Sequence, residues 1–173
     1  ALVIGNGDYG SGTQDSQPFG PLKNPSNDAR LISASLENVG FEVKTLLNLD
    51  QKSMRRAIKE FGMHLKEVGP KAVGVFYYAG HGIQVDGQNY LIPIASDIRI
   101  KIDIRKKAIK ASFVLREISS AGNNMNLFIL DTCRENKSTN RGRLGIQGFK
   151  KMDAPAGSMV AFSTGSGDLA KDG

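Results

Sequence analysis

Two apolar runs, Ala72–Tyr78 and Asn126–Leu130, constrain the fold of this chain more than any other feature. Neither alternates apolar with polar residues, so each reads as a buried strand of the kind found in parallel sheets. Segments of helical spacing lie between the strand-like ones. Ser26 or Asn27 is expected to cap a first helix carrying Ala29, Leu31, Ile32, Ala34, Leu36 and Val39, with Gly40 closing it. Asp50 or Ser53 opens a second, carrying Met54, Ala57, Ile58, Phe61 and Leu65 and ending near Gly69-Pro70. Ser112 caps a third that runs to Ser120. Strands are expected at 1–5, 41–47, 71–79, 125–130 and 158–162, and Asp86-Gly87 marks a hairpin turn between 83 and 92. Strands alternating with helices predict an α/β fold, a mostly parallel central sheet with helices on both faces and right-handed crossovers.

In such sheets ligands bind beyond the carboxyl ends of the strands. The two runs place chemistry there. His81 follows Tyr78 by three residues, and Cys133, the only cysteine, follows Leu130 at the same offset. If the strands are neighbours, a thiol and an imidazole meet at one sheet edge. A cysteine nucleophile needs that arrangement, because the thiolate attacks and an adjacent imidazole helps to generate it. Either residue alone reads more readily as a small buried hydrophobe or a satisfied side chain; the matched offsets favour the pair. His64 lies in the second amphipathic helix and reads as structural or surface.

Composition narrows the alternatives. At 173 residues and 40% hydrophobic content the chain is expected to be one globular domain. One cysteine forms no internal disulfide, so a reducing, cytoplasmic location is expected. No apolar run reaches bilayer length and no secretory signal is visible, so a membrane is not an expected partner. The net charge of +6 could suggest nucleic acid. However, the densest basic cluster (Arg99, Lys101, Arg105, Lys106, Lys107, Lys110) holds no aromatic and reads as a solvated face. Asp97 and Asp103 within it make a poor calcium site among so many cations. No metal or other cofactor is expected. Gly5-Asn-Gly7-Asp-Tyr-Gly10 fits a dinucleotide fingerprint, but it leads into a Gly/Ser/Gln/Pro-rich stretch rather than a helix, and Leu46-Leu47-Asn48 lacks the ribose-binding acid.

Tyr77-Tyr-Ala-Gly-His-Gly82 and Ile129-Leu-Asp-Thr-Cys-Arg134 resemble the two catalytic blocks of caspase-like peptidases, with the closest look to the bacterial metacaspase-like (orthocaspase) branch. Leu22-Lys-Asn-Pro-Ser-Asn-Asp-Ala29, Tyr90-Leu-Ile-Pro93 and Ala156–Thr164 resemble further segments of that family. Cys133 follows His81 by 52 residues, near the separation of about 50 in the caspase signature. The resemblance implies a three-layer sandwich and a cysteine endopeptidase working by a Cys133–His81 dyad. Backbone amides of Gly82 and Cys133 would serve as oxyanion donors. A catalytically silent scaffold on the same fold is the alternative, though it would have no need of both residues.

The caspase signature places Gln two residues before the cysteine; this chain has Asp131. An acid there would favour a guanidinium or ammonium side chain in the substrate. The resemblance carries a second pocket acid onto Asp28, with Asp168 a third candidate. Two carboxylates can bracket an arginine through charge-assisted hydrogen bonds. Asp28 also reads as a helix-start charge and Asp131 as a strand-end residue. The expected partners are peptides or proteins with basic residues. A large-subunit-like part to about 133 is followed by a basic linker, 134–155, and the start of a small-subunit-like part, 156–173. Basic residues in that linker suggest self-cleavage, with the chain's own C-terminal segment as a possible partner. The chain opens on a strand without methionine and stops early after Thr164, so a piece of a longer protein is expected.

Overall fold

The computed structural model describes residues 1–10, 19–133 and 149–163. Their elements run β1 (Leu2–Gly5), α1 (Pro25–Asn38), β2 (Lys44–Leu47), α2 (Gln51–Val68), β3 (Val73–Val85), β4 (Gln88–Leu91), α3 (Lys101–Lys107), β5 (Ile109–Lys110), α4 (Ala111–Ser119), β6 (Met125–Cys133) and β7 (Ser158–Phe162). Five strands pair in parallel in the order β2-β1-β3-β6-β7. From Gly82 onward β3 turns to antiparallel pairing with β4, and β4 with β5. The expected α/β class and mostly parallel sheet are therefore present.

Period-two alternation divides the sheet's side chains between two helical layers. On one face Leu2, Ile4, Phe76, Tyr78, Phe128 and Leu130 pack with the apolar stripes of α2 and α4. Phe76 and Phe128 stack there with centroids 5.1 Å apart. On the other face Val3, Tyr77 and Ala79 meet Ala29, Ile32 and Leu36 of α1. A third cluster joins Tyr9, Phe19 and Leu22 to the β3–β4 hairpin and Ile104 of α3. Helices thus cover both faces, giving three layers.

Asp50 caps α2 as expected, its side chain accepting the Ser53 N–H at 2.8 Å. The α1 cap is a correction. The helix starts at Pro25, before Ser26 or Asn27, with Asn24 at the cap position. Proline's fixed φ suits the first helical position, where its missing N–H costs no hydrogen bond. Similarly α4 begins at Ala111 rather than after Ser112. Asp86 (φ 48°) and Gly87 (φ 75°) form the expected two-residue hairpin turn. The short α3 and β5 had no sequence expectation. Their apolar anchors are single buried residues, Ile104 and Ile109, which carry no periodicity.

The largest departure concerns strand length. β3 was expected to end at Ala79 and β6 at Leu130, but they continue to Val85 and Cys133. Each supplies the other's hydrogen-bonding partner through Gly80, His81, Thr132 and Cys133, so neither polar end needs to leave the sheet.

Candidate active site

His81 and Cys133 are register partners across the parallel β3–β6 pair. They were expected just past their strands; instead both lie within them. Thr132 and Gly80 form the preceding rung, and Asp131 and Ala79 the one before that.

His81 is held through both its ring and its backbone. It is only 2% exposed. Its Nε2 lies 2.7 Å from the carbonyl oxygen of Gly20. A carbonyl can only accept, so Nε2 carries the proton and Nδ1 of the neutral ring is left as the basic nitrogen. The ring packs against Tyr9 (centroids 4.5 Å) and Phe19 (5.3 Å). Its backbone is gripped by two buried phenols. The His81 N–H donates to the Tyr9 hydroxyl at 2.9 Å, and the Tyr78 hydroxyl donates to the His81 carbonyl at 3.0 Å. Both hydroxyls also reach the Ile92 carbonyl, at 3.1 and 2.9 Å, tying the histidine to the far arm of the hairpin. Gly80 makes this convergence possible. Its φ is +154°, and a Cβ there would stand 2.6 and 2.7 Å from the Tyr78 and Tyr9 hydroxyl oxygens.

The glycine-rich Gly5–Gly10 segment finds its role here. Its residues 6–10 lie outside helix and strand and deliver Tyr9 to His81. Gly5 lets the start of α1 close over the end of β1, since a Cβ would lie 2.4 Å from the Pro25 carbonyl oxygen. Gly5 pairs with Ala79, and Ala79 with Asp131. The first turn of α1, with Asp28, therefore stands at the same end of the sheet as Asp131. Both acids are half-buried. Asp131 Oδ2 accepts the Tyr77 hydroxyl proton at 2.9 Å.

Gly82 opens the antiparallel pairing with β4, opposite Leu91. Phe149 packs against it, and Asn89 clasps Lys150 next door. The Asn89 amide donates to the Lys150 carbonyl at 2.6 Å and accepts the Lys150 N–H at 2.9 Å. Asp168 and linker residues 134–148 lie outside the described residues. His64 is half-exposed beside Glu42, at 3.7 Å, consistent with a surface role. Asp97 pairs with Arg99 at 2.8 Å. Asp103 accepts the N–H groups of Arg99 and Ile100, which hold its carboxyl below the usual aspartate range. Among the described residues no three His, Cys, Asp or Glu side chains gather as a metal site. No helix among them is long and apolar enough to cross a membrane.

The Gly20 carbonyl and the three tyrosines were not foreseen as site groups. An isolated aromatic in a glycine-rich stretch was the available signal for Tyr9. Nothing local marks a carbonyl as the partner of a histidine 61 residues away.

A family model described as Caspase domain matches residues 1–173. The chain is 28% identical over 135 residues to human mucosa-associated lymphoid tissue lymphoma translocation protein 1, and 27% identical to its mouse homolog. Those alignments cover 78% of this chain but only 15% of each relative. A crystal structure of a Geobacter sulfurreducens protein superposes with a TM-score of 0.56 at 19% identity, covering 76% of this chain and 49% of that one. That likeness concerns the fold.

Proposed function

The chain belongs to the caspase-domain family of peptidases, and on that basis we propose that it is a cysteine endopeptidase cutting after arginine or lysine. The observation that carries the reading is the pairing of His81 with Cys133 across adjacent parallel strands. It makes the two positions neighbours at the carboxyl edge of the sheet, whereas chain separation alone leaves them far apart. The resemblance of the segments around His81 and Cys133 is the ground for placing the chain in the bacterial metacaspase-like branch.

In the proposed reaction Nδ1 of His81 takes the Cys133 thiol proton, because Nε2–H is committed to the Gly20 carbonyl. The thiolate attacks the peptide carbonyl, forming an S–C bond and an oxyanion that the backbone amides of Gly82 and Cys133 would receive. The imidazolium protonates the leaving amine as the C–N bond breaks. Water, deprotonated by the same nitrogen, then hydrolyses the thioester and restores the thiol. The steps consume only peptide and water, so no metal or other cofactor enters. A single cysteine suits a reducing, cytoplasmic setting.

Asp131 and Asp28 supply negative charge for a basic side chain, and Asp168 is a further candidate acid. Basic linker residues between 134 and 155 would then be substrates for the enzyme itself. The test is cleavage of matched fluorogenic peptides ending in Arg, Lys or Asp by the wild type and by Cys133→Ala. Cleavage after Arg or Lys that falls by about a thousandfold or more in the variant supports the reading. Preference for Asp overturns the acidic pocket. Silence from the wild type, with or without calcium, brings forward an interaction domain. Identical banding of wild type and Cys133→Ala on prolonged incubation excludes self-cleavage.

A further inference from the structure

We infer that Tyr77 is a specificity-determining positioning residue, acting through Asp131 on the recognition of a cationic substrate side chain. The inference rests on the pocket proposed above and deepens it. The ring of Tyr77 is 3% exposed and packs in the apolar layer beneath α1, with Val3, Ala29 and Ala79. Its hydroxyl leaves that layer and donates to Asp131 Oδ2 at 2.9 Å, on the neighbouring strand and two rungs nearer the sheet edge.

A buried aromatic ring has few alternative rotamers, so its hydroxyl is a fixed point. An aspartate at a strand end otherwise spreads over the broad torsion of its terminal carboxyl group. One hydrogen bond to Oδ2 selects a single orientation and leaves Oδ1 to face an incoming guanidinium. The cost of ordering the carboxylate is then met in folding rather than in binding. Ala29, which shares the layer with Tyr77, follows Asp28 directly in α1. The same buried ring thus supports the segments bearing both acids. Phenylalanine would fill this layer equally well, so packing alone gives no reason for the hydroxyl.

The test uses two peptides differing only at the cleaved position, arginine or its neutral isostere citrulline. Wild type, Tyr77→Phe, Asp131→Asn and the double variant are compared by kcat and KM. Tyr77→Phe should lower the arginine-over-citrulline preference about fivefold to tenfold, the worth of one hydrogen bond. The loss should appear in KM for arginine while citrulline kinetics stay unchanged. In the Asp131→Asn background, Tyr77→Phe should add nothing. Equal loss on both peptides would show a merely structural tyrosine and overturn the inference. So would a silent Tyr77→Phe in an enzyme whose preference Asp131→Asn abolishes. If Asp131→Asn leaves the preference intact, the pocket itself is overturned, and the inference with it.

Discussion

The Tyr9 hydroxyl accepts the backbone N–H of His81 at 2.9 Å while the two rings pack at 4.5 Å, joining residues 72 positions apart. One side chain therefore holds both the backbone and the imidazole of the proposed base. The linkage is geometric, and its consequences for turnover separate from those for stability.

Tyr9→Phe keeps the ring and removes the acceptor. The buried His81 N–H then lacks that partner, at a cost of about 1–3 kcal/mol. We expect kcat on an arginine peptide to fall about tenfold with KM little changed, because the imidazole loses registry rather than the substrate losing contacts. Kinetics together with urea denaturation check both parts.

Gly80→Ala should be worse. Its Cβ would meet the Tyr78 and Tyr9 hydroxyl oxygens at 2.6 and 2.7 Å, so two buried phenols must shift. Overpacking of this kind costs about 1–3 kcal/mol. Turnover should drop by more than in Tyr9→Phe, since both grips on the His81 backbone are disturbed at once. A Gly80→Ala protein as active and as stable as wild type would contradict the clamp.

Asn89→Ala breaks both bonds to Lys150 and frees the segment that carries Phe149. Limited trypsin digestion should show faster cutting at Lys150 and Lys151. The melting temperature should fall by several degrees, matching about 1–2 kcal/mol for two lost hydrogen bonds. Asn89→Asp keeps an acceptor for the Lys150 N–H and should lie between.

Acid should weaken the fold through specific carboxylates. The Ser53 N–H lowers the Asp50 pKa, Arg105 lowers that of Asp86, and the Arg99 and Ile100 N–H groups lower that of Asp103, each from an ordinary value of 3.8. Groups depressed in the folded state contribute stability that is fully present above the unfolded value. That contribution is lost as pH falls through the folded value. Melting temperature should therefore be level between about pH 7 and 5 with respect to these groups and decline below about 4. Salt at neutral pH should weaken the exposed Asp86–Arg105 pair more than the Asp50 cap.

Much of the scaffold was legible because it rests on local signals. Apolar runs marked β3 and β6, helical periodicity marked α1, α2 and α4, and Asp86-Gly87 marked the hairpin. Boundaries were less so where tertiary partners extend an element. Polar Thr132, Cys133, Gly80 and His81 look like strand-end residues, yet each strand completes the other's ladder. Single anchors such as Ile104 gave no period to read, and α3 passed unseen.

Residue type and offset singled out His81 and Cys133 from the chain alone, whereas Asp131 and Asp28 came from the resemblance to caspase-like peptidases. Type and offset are properties of short segments, and reactivity is written in side-chain chemistry. Only the tertiary structure decided that His81 and Cys133 share a rung, that the Gly20 carbonyl settles the imidazole tautomer, and that Tyr9 and Tyr78 hold the His81 backbone while Tyr77 holds Asp131. Those relations depend on which strands become neighbours and where a buried hydroxyl finds an acceptor. Both are outcomes of packing distant segments into one core, where unpartnered polar groups are costly.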